Sequence, residues 1–235
     1  MDEALSVVVT NDDGYAAEGI DAVVEALDAL GDVEVEVVAP LDQRSGTGGT
    51  FREGPLETEE VETTSGHEAI AVDGYPADTL RVAIDELDLQ PHLVLSGINE
   101  GQNVGPLVDV SGTIGAARAA VARDIPALAV SSGGPGYDYE AAVEVMLDWI
   151  DEHRVELLEG DAPVEVASFN VPSCSTGEVR GVEEVPPAAG GDVGGDQDCT
   201  STEEDPVDDV TAFLNGFATL SIVPDEPNAP PQPGE

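Results

Sequence analysis

Apolar residues in this chain recur with two alternating periods. Leu5 to Thr10 (LSVVVT) is a short Val-rich run and reads as a buried strand. Gly19 to Leu30 carries Ile20, Val23, Val24, Leu27 and Leu30 at helical spacing, and Gly31 stops it. Val33 to Ala39 is a second strand, ended by Pro40. Two short runs within 55–73, separated by Ser65-Gly66, predict a hairpin. Pro76 to Leu87 reads as a helix with Pro at its start. His92 to Leu95 is a buried strand, Ser111 to Asp124 a helix, and Pro126 to Val130 a strand. Tyr137 to about Leu158 is a long amphipathic helix, and Val164 to Val171 is again strand-like. Alternating strands and helices predict an α/β fold, a mostly parallel sheet with helices on both faces.

From about Thr176 the pattern fades. Residues 186–209 are rich in Gly, Pro and acids and read as a poorly packed loop or arm. Gly216 to Val223 is a final strand, and the tail from Pro224 reads as disordered.

In such a fold, ligands bind beyond the carboxyl ends of the strands. The polar clusters fall there. Asp12 and Asp13 follow the first strand, and adjacent carboxylates repel unless a cation joins them; hard cations prefer oxygen ligands. NDDG is equally a good Asx-turn sequence. Ser45, Gly46 and Thr47 lie in SGTGGT, where glycines and hydroxyls can approach an anion or simply form a flexible loop. Asn99 and Asn103 flank Gly101; an Asn carbonyl can ligate a metal and an Asn amide can donate to phosphate, or both can be loop formers. Ser111-Gly112-Thr113 opens a helix, either as an anion site or as an ordinary N-cap. Each cluster is weak alone. Their convergence on one sheet edge points to metal-assisted phosphate hydrolysis.

Composition narrows the chemistry. The chain of 235 residues holds 50 acids against 7 basic residues, all arginine, for a net charge of −43. Seven scattered arginines cannot build a basic face, which argues against nucleic-acid polymers and anionic membranes as partners. Without lysine, Walker-type phosphate loops and Schiff-base chemistry are excluded. So is a receiver-type signalling module, which also places paired acids after its first strand. NDDG also lacks the DxD spacing of a haloacid-dehalogenase-type phosphatase. The acids interleave with periodic apolar segments, so the charge reads as an acidic surface suited to molar salt, as in halophilic archaea. No apolar run is long enough to span a membrane, and MDEALSVVVTNDDG lacks the basic start of a signal peptide, so a cytoplasmic location is expected. A reducing cytosol disfavours a bridge between Cys174 and Cys199. His67, His92 and His153 fall outside the polar clusters and read as structural or exposed.

Five motifs occur in order: VVVTNDDGYAAEGI, VVAPLDQRSGTGG, DGYPADTL, LVLSGINEGQNVG and SGTIGAARAA. Together they resemble the SurE (survival protein E) family of metal-dependent 5′/3′-nucleotidases, over roughly residues 5–132. Weaker echoes occur at SFNVP and DDVTAFLNGFATLSI. The resemblance implies a Rossmann-like core over residues 1–175, an acidic arm or hairpin with a final strand over 176–224, and a tail over 225–235. It implies one divalent cation per subunit, Mg²⁺ or Mn²⁺, held by Asp12, Asp13, Ser45 and Asn99. Asp12 and Asp13 would be catalytic. Asn11, Gly46, Thr47, Asn103, Ser111, Gly112 and Thr113 would bind the phosphate. The implied reaction is hydrolysis of nucleoside 5′- or 3′-monophosphates, with short polyphosphate as a further substrate, in a homodimer or homotetramer that exchanges C-terminal arms. A non-catalytic nucleotide-binding module on the same fold is the competing reading. Departures from the family pattern are Tyr75 and Thr79 in DGYPADTL, which would change the pocket wall, Leu107 in place of a common acid, with Asp109 two residues on, on an extended segment, as its replacement, and Glu100 where a basic residue is common, which removes a substrate contact.

Overall fold

A computed structural model of the chain describes residues 4–225 except residue 135. Among the described residues nine strands form one sheet: β1 (Leu5–Thr10), β2 (Val33–Pro40), β3 (Thr58–Glu62), β4 (Glu68–Val72), β5 (Leu93–Glu100), β6 (Ala127–Ser132), β7 (Val166–Val171), β8 (Val182–Glu184) and β9 (Ala218–Val223), in the order β3-β4-β2-β1-β5-β6-β7-β9-β8. From β4 to β7 every pairing is parallel. β3 runs antiparallel to β4 and β9 antiparallel to β7, while β8 runs parallel to β9. The hairpin expected within 55–73 is β3–β4, with Thr58 opposite Val72.

Side-chain alternation along β1 sorts the core into two layers. Leu5, Val7 and Val9 face the helices α1 (Glu18–Leu30) and α4 (Tyr139–Glu159), meeting Ile20, Val23, Leu27, Met146 and Ile150. Val8 faces the opposite layer, with α2 (Pro76–Leu80) and α3 (Gly112–Val121), where Leu80, Ile114, Ala116, Ala117 and Ala120 pack. The alanines of α3 let it sit close to the sheet. α2 continues into a wider π-helical stretch, Arg81–Glu86, so the expected helix from Pro76 is present but not uniform.

Three expectations need correction. The strand expected at His92–Leu95 does not end there: β5 continues to Glu100, with a register irregularity between Ser96 and Asn99 and a cis peptide at Gly97–Ile98. Asn99 therefore sits in the sheet, opposite Ser131, and not in a loop. Secondly, the arm is packed. The Asp208–Thr211 capping box starts a helix, α5 (Asp209–Leu214), which builds a third apolar cluster from Val104, Ala188, Val210 and Phe213. The Asp209 carboxylate, fully buried, accepts from Gly105 N at 2.9 Å and Ala188 N at 2.8 Å. These contacts span 104 and 21 residues of sequence, which local periodicity cannot register. Thirdly, Cys174 and Cys199 are joined in a disulfide. The turn after β7 and the arm bring their Cα atoms to 5.7 Å, and Gln197 docks the same arm onto Ser173 N and Gly134 O. The tail residues 226–235, expected to be disordered, lie outside the described residues.

The histidines are structural or at the surface. His92 Nδ1 accepts from Ser6 N, His153 stacks on Trp149, and His67 lies 3.7 Å from Asp28.

Candidate active site

The chain leaves β1 toward α1 and β2 on one side, and its next neighbour on the other side is β5. The carboxyl end of β1 is therefore a switch point, open between two diverging connections. Asn11, Asp12 and Asp13 occupy it. Asn11 closes the turn: its Nδ2 donates to Gly14 O at 3.1 Å and its Oδ1 accepts from Gly14 N at 3.0 Å. Both ends of that amide are engaged with backbone. Its position is that of a brace for the acids behind it.

Asp12 is buried, at 3% exposure. Its Oδ1 accepts from Thr113 Oγ1 at 2.7 Å. Its other side faces Gly112, where an added Cβ would stand 2.7 Å from Oδ2. Only glycine lets the first turn of α3 approach the carboxylate this closely. Burial pushes the Asp12 carboxyl up to about 6; the Thr113 hydrogen bond pulls against that, and the charge on Asp13 adds to it. Asp13 is half-buried, accepting from Glu100 N at 3.2 Å and Gln43 Nε2 at 3.4 Å. Burial raises its pKa also, and the Glu100 charge contributes. Among the described residues no basic side chain forms an ion pair with either acid.

The SGTGGT loop reaches the same place. Arg44 N donates to Asp12 O at 2.6 Å, and Gly48 N donates to Val110 O at 3.0 Å, so the loop is tied both to β1 and to the approach to α3. A Cβ on Gly115 would collide with Gly48 O, which shows how tightly loop and helix are apposed. Ser45 and Gly46 are exposed on this loop, and the Thr47 hydroxyl donates to Arg44 O at 2.7 Å.

Asn103 approaches from beyond β5. Its Nδ2 donates to Ser131 Oγ at 2.9 Å and reaches Thr113 Oγ1 at 3.4 Å. Its backbone N–H donates to Asn170 Oδ1 at 2.6 Å. A buried polar chain thus runs from Asn170 through Asn103 and Thr113 to Asp12. Asn99 Nδ2 donates to Gly101 O at 2.6 Å, which leaves its Oδ1 available. Ser111 caps α3, accepting from Ile114 N at 3.2 Å.

The structure thus gathers Asp12, Asp13, Asn103, Gly112 and Thr113 into one connected cluster, with Asn99, Ser111 and the 45–47 loop bordering it. Sequence reading missed Ser131 and Asn170. Ser131 is one strand position among many, and Asn170 lies in SFNVP, which spacing alone does not connect to residue 103. Two suggestions about departures also change. Thr79 does not line the site; its hydroxyl meets Thr10 Oγ1 at 2.8 Å inside the core. Tyr75 lies under Arg44, 5.9 Å from ring centre to guanidinium carbon. Leu107 and Asp109 sit in a 3₁₀ turn, Gly105–Asp109, not on an extended segment. At three residues per turn, positions two apart do not share a face. Asp109 instead pairs with Arg118 at 3.3 Å.

The donors fit a hard divalent cation. Two carboxylates that no base neutralises and an amide oxygen are the ligand types such ions take. Among the described residues no cluster of three or more His, Cys, Asp or Glu side chains forms a metal site, so amide and hydroxyl oxygens would have to complete the shell. Among the same residues no helix is long and apolar enough to cross a membrane.

A family model, Survival protein SurE, matches residues 7–189. The chain is 36% identical over 185 residues to the 5′-nucleotidase SurE of Carboxydothermus hydrogenoformans, covering 76% of this chain and 69% of that one. It is 37% identical over 181 residues to the 5′-nucleotidase SurE of Methanopyrus kandleri, covering 72% and 66%. The crystal structure of the SurE protein from Aquifex aeolicus superposes with a TM-score of 0.75 at 27% identity, covering 95% of this chain and 94% of that one. A matched family model over most of the chain, identities above a third and a shared fold agree with the cluster at the end of β1, and the chain belongs to the SurE family.

Proposed function

We propose that the protein is a divalent-cation-dependent phosphomonoesterase that hydrolyses nucleoside 5′- or 3′-monophosphates to nucleoside and phosphate. The observation that carries this reading is Asp12, buried beside Asp13 with no basic partner, against the first turn of α3. Its relatives' designation as 5′-nucleotidases supports it. In this reading Asp12, Asp13, Asn99 Oδ1 and Ser45 Oγ hold one Mg²⁺ or Mn²⁺ per subunit. Bound there, the cation supplies Lewis acidity toward phosphoryl oxygen and water.

The chain's own groups do the rest. The free N–H groups at the start of α3, that of Thr113 included, and the Ser111 hydroxyl take the phosphoryl oxygens, with Gly46 and Thr47 on the facing loop, while the Thr113 hydroxyl stays on Asp12. Asn103, positioned by Asn170, would give up its longer bond to Thr113, at 3.4 Å, to donate to the same oxygens. Asn11 holds the turn that aims Asp12 and Asp13. Asp12 or Asp13 orients the attacking water or accepts its proton. The water oxygen bonds to phosphorus, the ester P–O bond breaks, and the nucleoside oxygen leaves with a proton.

In this reading residues 1–175 form the catalytic core and 176–224 an arm that buttresses it. The assembly is a homodimer or homotetramer, and the charge of −43 is an adaptation to molar salt in a halophilic cytoplasm. The test is phosphate release from a panel of mononucleotides with Mg²⁺ or Mn²⁺ at molar KCl. Release from wild type, abolished in Asp12→Asn/Asp13→Asn and by chelation, supports the reading. A folded wild type that binds nucleotide but releases no phosphate makes it a binding module.

A further inference from the structure

Exposure grades outward along the acids of the site. Asp12 is buried, Asp13 is half-buried, and Glu100 is exposed. Glu100 is tied to the site at both ends. Its backbone N–H donates to Asp13 Oδ2, and one carboxylate oxygen, Oε1, accepts from Tyr139 Oη at 2.8 Å. Tyr139 comes from the start of α4, so two elements fix the position of this one carboxylate. Burial and the Glu100 charge push the Tyr139 hydroxyl well above its ordinary range, which keeps it a donor. The charges of Glu18 and Asp13 reach the same hydroxyl, so this side of the site is uniformly acidic. Among the described residues no arginine pairs with Asp13, Glu18 or Glu100.

The opposite wall has the reverse character. There the first turn of α3 and the SGTGGT loop present backbone N–H groups and the hydroxyls of Ser111 and Ser45. Glu100, exposed and bonded through its N–H to Asp13, stands on the solvent side of the acid pair, where the ester substituent of a phosphoryl group seated against α3 has room to leave. We propose that Glu100 is a specificity-determining residue: held by Tyr139, its free carboxylate oxygen accepts the ribose hydroxyls of a nucleoside monophosphate and turns away substrates carrying a further phosphate at that position. This inference rests on the nucleotidase reading and deepens it. A carboxylate makes strong hydrogen bonds to hydroxyl donors. It has no donor for a second phosphate, whose charge would come within a few ångströms, closer than molar salt screens. The short polyphosphates implied by family resemblance are therefore poor substrates for this chain.

The test compares kcat/KM for a ribonucleoside 5′-monophosphate, its 2′,3′-dideoxy counterpart and tripolyphosphate, in wild type and Glu100→Gln, at fixed divalent metal and molar KCl. In wild type, removing the ribose hydroxyls raises KM. In Glu100→Gln that penalty shrinks, and the preference for monophosphate over tripolyphosphate falls by about tenfold. Tyr139→Phe, which frees the carboxylate to rotate, moves both quantities in the same direction by less. Unchanged ratios in both variants, with native circular dichroism, overturn the role of Glu100 while leaving the nucleotidase intact. If Glu100→Gln fails to fold, the Tyr139→Phe result decides. A wild type inactive on every phosphate ester removes the nucleotidase reading itself, and the Glu100 role with it.

Discussion

Asp12 is in conflict between stability and use. Its carboxyl is pushed to about 6 from an ordinary 3.8, so the folded chain holds this proton more tightly than the unfolded chain does. The stability this contributes is present below about pH 3.8 and is lost as pH rises through about 6. Under the proposed function a divalent cation would restore it, since metal and proton would compete for the same oxygens. The melting temperature should therefore rise more on adding Mg²⁺ at pH 7 than at pH 5, as read by thermal circular dichroism. Asp12→Asn removes the buried charge and its repulsion by Asp13. The metal-free variant should melt a few degrees above wild type at pH 7, and the difference should vanish near pH 5. Its phosphatase activity should fall by about 10²- to 10⁴-fold, the usual contribution of a positioned acid–base group. A metal-free Asp12→Asn protein that melts below wild type at pH 7 would contradict the claim that desolvation dominates at this residue.

At the scale of elements, the site depends on close approach between α3 and its neighbours. Gly112→Ala puts a Cβ 2.7 Å from Asp12 Oδ2 and should abolish activity while leaving far-ultraviolet dichroism native. The arm acts at longer range. Asp209→Ala leaves the N–H groups of Gly105 and Ala188 without their buried acceptor and should cost roughly 3 kcal/mol in denaturant unfolding. Because Gly105 opens the turn that follows Asn103, KM for substrate should also rise. Reducing the Cys174–Cys199 bond, which closes a loop with a sequence separation of 25, should cost about 3 kcal/mol by chain entropy, measured with and without reductant. These elements differ in legibility. α1 and α4 were readable because each buries a single face of helical period, and α3, buried on nearly every side, because Ser111 caps a run of small residues. α5 was not, since its boundary rests on the Asp208 cap and its packing on Val104 and Ala188, both distant in sequence. β5 was read too short because SGINE looks like loop chemistry while its backbone stays paired to β6.

Over the whole molecule, a charge of −43 must be screened for the compact state to persist. The melting temperature should climb steadily from about 0.1 to 3 M KCl, over which the Debye length shrinks from roughly 10 Å to under 3 Å. A melting temperature indifferent to salt would contradict this reading of the surface. The seven arginine–carboxylate pairs seen among the described residues use all but one of the seven arginines, Arg44 twice, so most acids face solvent without a basic partner. Arg180 is the exception, lying over the Phe217 ring at 4.1 Å.

Local pattern alone determined the α/β class, the two core layers and the candidate clusters, because periodicity and turn residues act within a few positions of one another. It marked Asp12, Asp13, Asn103 and Ser111–Thr113 by residue type and by their place after strands or before a helix. What they do together was decided only by the fold. The order β2-β1-β5 brings residues 12, 44, 99, 103 and 113 to one edge. The hydrogen bonds from Thr113 to Asp12 and from Asn103 to Asn170 then span 101 and 67 residues. Burial of Asp12, the packed arm and the tether between Glu100 and Tyr139 are likewise products of long-range packing, whose partners no local window of sequence contains.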